Sequence, residues 1–279
     1  MTIEASVVAD SVSYEGDRIT TLQLKYPRFI HSELLTHRVF SRNASSSRAI
    51  PVKKMLAEVW NRPATPIHWG KNMAGMQARE ELGAMSRRIS KLLWRWSGRG
   101  MCAVVWLMDK VGLHKQVANR LLEPWQHIHV VVTATDWENF FALRCHPDAQ
   151  PEFQDLALKM RSAMESSIPV KRAVGDWHLP YVTTSEREEL PLKFAIEVSV
   201  ARCCRVSYLN HGGSVSKVGE DLRLYDRLVS ATPPHMSPTE HQATPGLWDM
   251  RYANFMGWQS HRWVLENPIC HAPHALQNR

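Results

Sequence analysis

The amino-acid sequence predicts an α+β fold, in which a mixed or antiparallel sheet is covered by helices. Short segments with the two-residue alternation of strands lie between longer segments with helical spacing. They follow no regular strand–helix–strand repeat, which a purely parallel sheet would require. The 279 residues can bury a sizeable core, and no Pro/Gly/Ser-rich linker divides them. We expect one domain over residues 1–279, with a helical insertion at about residues 50–114.

The clearest strand signals lie in residues 18–26 and 127–133. Residues 18–26 alternate with a period of two, and Pro27 ends the run. Ile30 and Leu34 then share one face of a short helix, which leaves Glu33 and His37 one turn apart on another face. A loop is expected to follow that helix.

Helical spacing covers most of the remaining chain. In residues 72–110 it predicts helices, with Met85 as a core residue. Asp136 is a plausible N-cap for a helix that ends at Arg144. The other predicted helices are residues 115–123, 151–164, 192–206, 217–230 and 252–265.

Composition restricts the partners. The formal charge is +7, from 34 Lys and Arg against 27 Asp and Glu, so anionic ligands or nucleic acid are the expected partners. Basic residues alternate with tryptophan in residues 91–96, which suits single-stranded nucleic acid but is more often an amphipathic helix. The longest apolar run, residues 101–108, is too short for a membrane span, and the sequence lacks a targeting pattern. We expect a cytoplasmic protein, in a host cell if the source is viral, and nucleic acid as an unlikely partner.

The spacing of the cysteines and glycines argues against several other classes of protein. The five cysteines form no CxxC pair, which favours reduced thiols. Cys270, His271 and His274 are possible metal ligands and Cys270 a possible nucleophile, but neither signal is specific, so no metal site is expected. The sequence has no P-loop and no G-x-G-x-x-G, which argues against kinase and Rossmann functions.

Residues 36–48 contain the densest group of polar side chains. Arg38 and Arg48 offer planar donor groups for phosphate, and serine hydroxyls lie between them. This composition predicts an anion site. The alternative is a solvated basic loop, because Ser and Asn are common in loops.

The spacing in this segment resembles the signature of flavin-dependent thymidylate synthases, R-H-R-x-x-S-x-N-E-x-S-x-R. The matching residues are His37, Arg38, Ser41, Asn43, Ser46 and Arg48. Thr36 stands where the family has its first Arg, and Ala44 where it has Glu. Residues 119–124, 139–144 and 149–153 resemble the family's A-R-x-x-x-P, N-F-x-x-L-R and A-Q-x-E-I segments, in the family's order.

Two further segments occur in an unusual position. Residues 201–208 resemble A-R-x-C-Y, and residues 235–241 resemble H-x-S-P-F-E-H, both of which precede the main signature in the family. Here they follow it. This order resembles a circular permutation, which proteins tolerate when their termini lie close together at the surface, and it is similar to a divergent, bacteriophage-like branch.

The resemblance implies an activity and its cofactors. The reaction would be reductive methylation of dUMP to dTMP, with methylenetetrahydrofolate, FAD and NADPH. Arg144 would be catalytic, by stabilising negative charge on the pyrimidine. Without the resemblance, Arg144 is a charge at a helix end. Family members are homotetramers with active sites between subunits, so neighbouring chains would complete each flavin site.

The resemblance also implies two sets of binding residues. Substrate contacts are expected from Glu33, Ser45, Ser46, Ser47, Arg48, Arg120 and Arg144. Flavin contacts are expected from His37, Arg38, Asn139, His241, Thr133 and Thr135, although the family has Asn and Arg at the two threonine positions. Lys71 and Lys115 are candidate replacements for the missing cations.

Two alternative functions stay open. If water captures the methylene group at C5, the product is a 5-hydroxymethyl pyrimidine deoxynucleotide. An alternative of another class is a nucleic-acid-binding protein on an inactive enzyme scaffold.

Overall fold

A five-stranded sheet forms the centre of the protein, for which the structure is a computed structural model that describes residues 3–208 and 216–268. Its strands are β1 (Glu4–Ser13), β2 (Arg18–Pro27), β3 (Ser41–Ala44), β4 (His127–Ala134) and β5 (Val170–Arg172). The spatial order is β3-β4-β2-β1-β5, and every neighbouring pair is antiparallel except β1 with β5. The sheet is therefore mixed and flanked by helices, which confirms the predicted fold class.

Ten α-helices surround the sheet or extend from it in the described residues. They are α1 (His31–Leu35), α2 (Val52–Asn61), α3 (Ala84–Lys110), α4 (Lys115–Ala118), α5 (Glu138–Arg144), α6 (Pro151–Glu165), α7 (Thr184–Glu189), α8 (Leu192–Cys204), α9 (Val218–Val229) and α10 (His261–Glu266). The 3₁₀ turns are Arg28–Ile30, Asn119–Trp125, Arg205–Tyr208 and Ser237–Glu240. The short strands are β6 (Ala243–Pro245), β7 (Arg251–Tyr252), β8 (Phe255–Met256) and β9 (Trp258–Ser260). None of these described helices has the length and apolar character needed to cross a bilayer.

The main core lies between the sheet and helices α1, α5 and α6. Leu22 and Leu24 of β2 and Val130 of β4 are fully buried in it, together with Phe153 and Met160 of α6. Their spacing follows the period of each element, two along the strands and three to four along the helix, so each element buries one continuous face. This confirms the predictions for β2, β4 and α6.

Helix α3 differs from the prediction for residues 72–110 in two respects. Only Ala84–Lys110 is helical, and Met85, predicted to be core, is 72% exposed. Two apolar faces explain the error. One face buries Cys102 and Val105 in a second cluster with Val59 of α2. The other is exposed and forms what we call the outer α3 stripe, which consists of Met85, Ile89, Leu92, Trp96 and Leu107.

Two expected helix features are wrong for reasons of local geometry. Asp136 is not an N-cap, because α5 begins after Trp137, and the Asp136 carboxylate instead pairs with Arg251 at 2.5 Å. The predicted helix over residues 252–265 is replaced by strands up to Ser260 and by the short α10. Ala253 and Gly257 have φ angles of 54° and 69°, a left-handed conformation that a helix cannot contain.

Candidate active site

The segment between α1 and Arg48 is better ordered than the loop that was expected, because residues 41–44 form β3 and pair with β4. Arg42 anchors its start. Its guanidinium donates to the carbonyl oxygens of Leu34, Leu35 and His37 at 3.0–3.2 Å, which satisfies the C-terminal end of α1. Arg42 falls at an unspecified signature position, so sequence reasoning did not select it.

The three serines of the segment alternate between two environments. Ser45 and Ser47 are buried. The Ser45 hydroxyl accepts from the amide of His129 at 3.0 Å, and the Ser47 hydroxyl donates to the Glu123 carboxylate at 2.8 Å. Ser46 faces the opposite way and lines a cavity. Of the three expected serine contacts, only Ser46 therefore presents its side chain to a ligand.

The cavity beside Ser46 has a volume of about 880 Å³ and is lined by cationic and neutral residues. We call it the cationic cavity. Its cationic or titratable lining residues are Arg48, Arg205, Arg227 and His235, and its other polar lining residues include Asn43, Ser46, Gln116 and Ser237. None of its lining residues in the described part of the chain is acidic. A concave surface of one charge sign concentrates ligands of the opposite sign, so the arrangement suits an anion.

The arginines of the cavity differ in whether an acidic side chain compensates their positive charge. Arg205 pairs with the buried Asp221 at 2.8 Å. Arg48 and Arg227 are exposed and have no acidic partner among the described residues. These two are therefore the cations that a bound anion can neutralise.

Arg120 lies outside the cavity lining. Its guanidinium pairs with Glu123 Oε1 at 3.1 Å, and the same oxygen accepts from Arg28 at 3.1 Å and from Ser47. Arg120 is therefore compensated by an acid, unlike Arg48, and its expected phosphate contact stays a prediction. The two lysines expected to replace missing cations each have a partner: Lys71 contacts Glu80, and Lys115 donates to the carbonyl of Ala49, a residue that lines the cavity.

A second group of polar side chains surrounds Arg144 at the end of α5. Its Nε donates to His37 Nε2 at 3.0 Å, its Nη1 contacts Glu33 Oε2 at 3.3 Å, and its Nη2 donates to Thr36 Oγ1 at 3.2 Å. The guanidinium also lies 4.8 Å from the ring centre of Phe153. We call these five residues the Arg144 cluster. Of the five N–H groups of Arg144, two are left for a ligand.

The contacts of Arg144 argue against a role limited to its own helix end. All three hydrogen bonds go to α1 and the turn after it. Glu33 compensates the positive charge while occupying one N–H group, and the Phe153 ring lies against the guanidinium. The cluster thus presents a cation whose orientation is fixed.

The environment keeps His37 neutral. Burial, together with the positive charges of Arg144 and Arg42, lowers the pKa of His37 to about 4. Because Arg144 Nε donates to Nε2, the proton of the neutral ring is on Nδ1. Burial raises the pKa of Glu33 more than the nearby Arg144 lowers it.

The residues expected at the flavin divide into exposed and buried sets. Arg38 and Asn139 are exposed, and Thr135 is half-buried, where it accepts from the amide of Met256 at 3.0 Å. Thr133 and His241 are fully buried and lie 2.9 Å apart, from Thr133 Oγ1 to His241 Nδ1.

The buried pair belongs to a longer chain of hydrogen bonds. Thr21 Oγ1 lies 2.7 Å from Thr133 Oγ1 and 2.8 Å from His178 Nε2, and His178 Nδ1 lies 3.0 Å from Ser11. Of the residues expected at the flavin, Arg38 and Asn139 are thus accessible to a ligand, whereas the polar atoms of Thr133 and His241 are enclosed by protein in this conformation.

The downstream segments pack against the signature despite their position in the chain. The Asn43 amide donates to the carbonyl of Cys203 at 3.4 Å, and Ser237 and Pro238 line the cationic cavity with Ser46. Arg202, of the A-R-x-C-Y-like segment, is buried and pairs with Glu186 at 2.6 Å and Asp221 at 3.0 Å. The tertiary structure thus brings these downstream segments against the signature segment.

Cys270, His271 and His274 lie outside the described residues. Within residues 3–208 and 216–268, no group of three or more His, Cys, Asp or Glu side chains is arranged to hold a metal ion.

The mixed sheet is flanked by helices, and the cavity beside the signature segment, with no acid among its described lining residues, has a charge that suits a small anionic ligand. Residues 18–170, more than half of the chain, match the family model described as thymidylate synthase complementing protein, Thy1. The chain therefore belongs to this family, the flavin-dependent thymidylate synthases.

Solved structures give a weaker likeness. The UMP/dUMP methylase PolB from Streptomyces cacaoi, bound with 5-Br dUMP, has a TM-score of 0.48 and 14% identity, covering 58% of this chain and 90% of that one. The same enzyme bound with 5-Br UMP has a TM-score of 0.49 and 16% identity, covering 58% and 89%. No curated protein sequence matches the chain.

Proposed function

We propose that the protein methylates dUMP to dTMP reductively, with methylenetetrahydrofolate as carbon donor and FAD and NADPH as redox cofactors. The observation that carries the proposal is the cationic cavity, whose described lining residues include no acid but include Ser46 and Arg48, two residues that match the family signature. Membership of the family supplies the reaction class. Folate- and NADPH-dependent nucleotide synthesis would belong in the cytoplasm.

In this proposal Arg48 and Ser46 bind the phosphate of the nucleotide. The guanidinium offers a planar pair of donors, and the hydroxyl offers a third. Each charge-assisted hydrogen bond of this kind contributes about 1.5–3 kcal/mol. The phosphate contacts fix the nucleotide but do not change during the reaction, so they serve affinity and position.

Arg144 has the chemical role. Carbon C5 of uracil becomes nucleophilic only when negative charge develops on the N3, O2 and O4 edge of the ring. The two N–H groups that Arg144 has free would donate to that edge and stabilise this charge. His37 is neutral and therefore accepts from Arg144 instead of repelling it, which holds the guanidinium in one orientation.

Arg38 and Asn139 would hold FAD, with His37 and Thr135 beside them. When bound, the flavin supplies the reducing equivalents. The test is the visible flavin absorbance of protein that has been incubated with FAD and then desalted. The proposal is supported if the wild type retains flavin, if Arg38→Ala retains less of it, and if the exposed control Arg62→Ala retains as much as the wild type. Absence of flavin from the wild type at micromolar protein and cofactor contradicts it.

We also propose a homotetramer whose subunits share active sites. Two features support it. Arg38 and Asn139 are exposed on the single chain, and the outer α3 stripe leaves large apolar side chains in water, an arrangement typical of an interaction surface. The molecular mass of the protein in solution tests this proposal. The mass of a tetramer supports the proposal, and the mass of a monomer at micromolar concentration contradicts it.

A further inference from the structure

We propose that Arg227 of α9 binds the 5′-phosphate of the nucleotide together with Arg48, so that two guanidiniums from opposite ends of the chain hold one phosphate. Arg227 has no counterpart in the signature segments. The inference rests on the proposed function for the identity of the nucleotide, whereas binding of an anion between these two residues does not depend on it.

The first argument is the position of Arg227 on its helix. Arg227 and Leu228 follow Leu224 by three and four residues, which places both beside it on α9, and all three line the cationic cavity. The helix is held in place by the adjoining face, where Asp221 and Tyr225 are buried. The cavity face of α9 therefore presents Arg227 toward the same space that Arg48 enters from the segment after β3.

The second argument is the charge state of the cavity wall. The carboxylate of Asp221 is buried and accepts from Arg202 at 3.0 Å and from Arg205 at 2.8 Å, which compensates the charge of Arg205. Arg48 and Arg227 have no such partner in residues 3–208 and 216–268. Two uncompensated guanidiniums match the charge of a phosphate dianion, and each can bind two of its oxygens.

The third argument concerns position 44. Ala44 lines the cavity at the place where the family signature has Glu. A carboxylate there would be available to neutralise an adjacent guanidinium. With Ala44 the cavity lining holds no competing acid, so the positive charge of Arg48 and Arg227 is available to the ligand.

A simpler role for Arg227 must be separated from this one. It lies in the last turn of α9, where a cation stabilises the helix dipole by about 0.3–1 kcal/mol. That role would affect folding and every ligand equally. Recognition of phosphate instead predicts a loss that is confined to ligands that carry phosphate.

The experiment is calorimetric titration of dUMP and of deoxyuridine into the full-length wild type, Arg227→Gln and Arg223→Gln. Arg223 is a matched control, because it is an exposed arginine one turn earlier on α9 and outside the cavity lining. Arg227→Gln should weaken dUMP binding about 10- to 100-fold, the effect of one lost charge-assisted contact. Deoxyuridine binding should be unchanged, and Arg223→Gln should resemble the wild type.

Three outcomes would overturn the inference. They are wild-type dUMP affinity in Arg227→Gln, an equal loss for deoxyuridine and dUMP, and an equal loss in Arg223→Gln, which would indicate a diffuse charge effect. If the wild type does not bind dUMP, the proposed function fails. Titration of pyrophosphate then tests separately whether Arg227 belongs to an anion site. Pyrophosphate binding that is lost in Arg227→Gln supports the anion site, whereas binding that is absent or independent of Arg227 overturns it.

Discussion

The Arg144 cluster and the cationic cavity both contain arginine, but the arginine side chains have opposite surroundings. Arg144 is surrounded by a carboxylate, a neutral imidazole, a hydroxyl and an aromatic ring, and its orientation is fixed before any ligand binds. Arg48 and Arg227 are exposed and lack acidic partners within the described residues. The first arrangement suits charge that appears only during a reaction, and the second suits charge that the ligand already carries.

The difference has an energetic basis. A preorganised donor needs no rearrangement when charge develops, so its full interaction lowers the barrier. An exposed arginine loses side-chain freedom when it binds, and its attraction is screened by salt. Substitutions in the Arg144 cluster should therefore change turnover, whereas substitutions in the cationic cavity should change affinity.

The largest effect is expected from Arg144→Ala. It should lower the turnover number about 10²- to 10³-fold, the usual loss for one electrostatic stabiliser of a transition state. The amount of retained FAD should change little. Arg144→Lys should recover little activity, because an ammonium cannot present a planar pair of donors. Single-turnover reactions of reduced enzyme measure the effect, with the exposed Arg161→Ala on α6 as control. Wild-type turnover in Arg144→Ala would show that Arg144 is not catalytic and serves only as a charge at the end of its helix.

An intermediate effect is expected from Arg48→Ala. Loss of one charge-assisted phosphate contact should weaken dUMP binding about 10- to 100-fold and leave FAD binding unchanged. The remaining affinity should also depend less on salt. Calorimetry at two salt concentrations measures both changes, with Arg62→Ala, an exposed arginine at the end of α2, as control. Equal dUMP affinities in wild type and Arg48→Ala would remove Arg48 from the site.

The smallest effect on activity is expected from the buried pair of Thr133 and His241. Complete burial lowers the pKa of His241 to about 3. Between about pH 3 and pH 6.5 the unfolded chain therefore binds a proton that the folded chain does not, so stability falls as the pH drops through this range. His241→Gln removes that proton and should reduce the slope of unfolding free energy against pH by up to about 1.4 kcal/mol per pH unit.

Denaturant unfolding at several pH values measures this slope. An unchanged slope would show that His241 does not titrate as a buried group. A large loss of flavin in His241→Gln with unchanged stability would restore its expected cofactor contact.

Sequence patterns predicted the strands and helices that bury one face. They did not predict features that depend on tertiary packing. The alternation of residues 18–26 and the helical spacing of residues 151–164 predicted β2 and α6. Strand β1 was missed, and a bulge between Val7 and Ala9 interrupts its register. Spacing alone could not show which apolar face of α3 is buried, because both faces have the same period.

The candidate site was predictable only in part for a similar reason. The signature pointed to His37 and Arg48 and the N-F-x-x-L-R-like segment to Arg144, and the structure places these residues in the two regions compared above. The signature could not show that Ser45 and Ser47 point inward, because their partners, the His129 amide and the Glu123 carboxylate, are brought to them by tertiary packing. Arg227 gave no local signal, since its helix reaches the cavity only through tertiary packing.

The mass of the product formed in a single turnover tests the central claim most directly. Wild-type enzyme with reduced flavin, dUMP and methylenetetrahydrofolate is expected to yield dTMP. A product with the mass of 5-hydroxymethyl-deoxyuridine monophosphate would keep the site but change the reaction to hydroxymethylation. Recovery of unchanged dUMP from protein that retains flavin and binds dUMP would contradict the claim that these two regions form an active site.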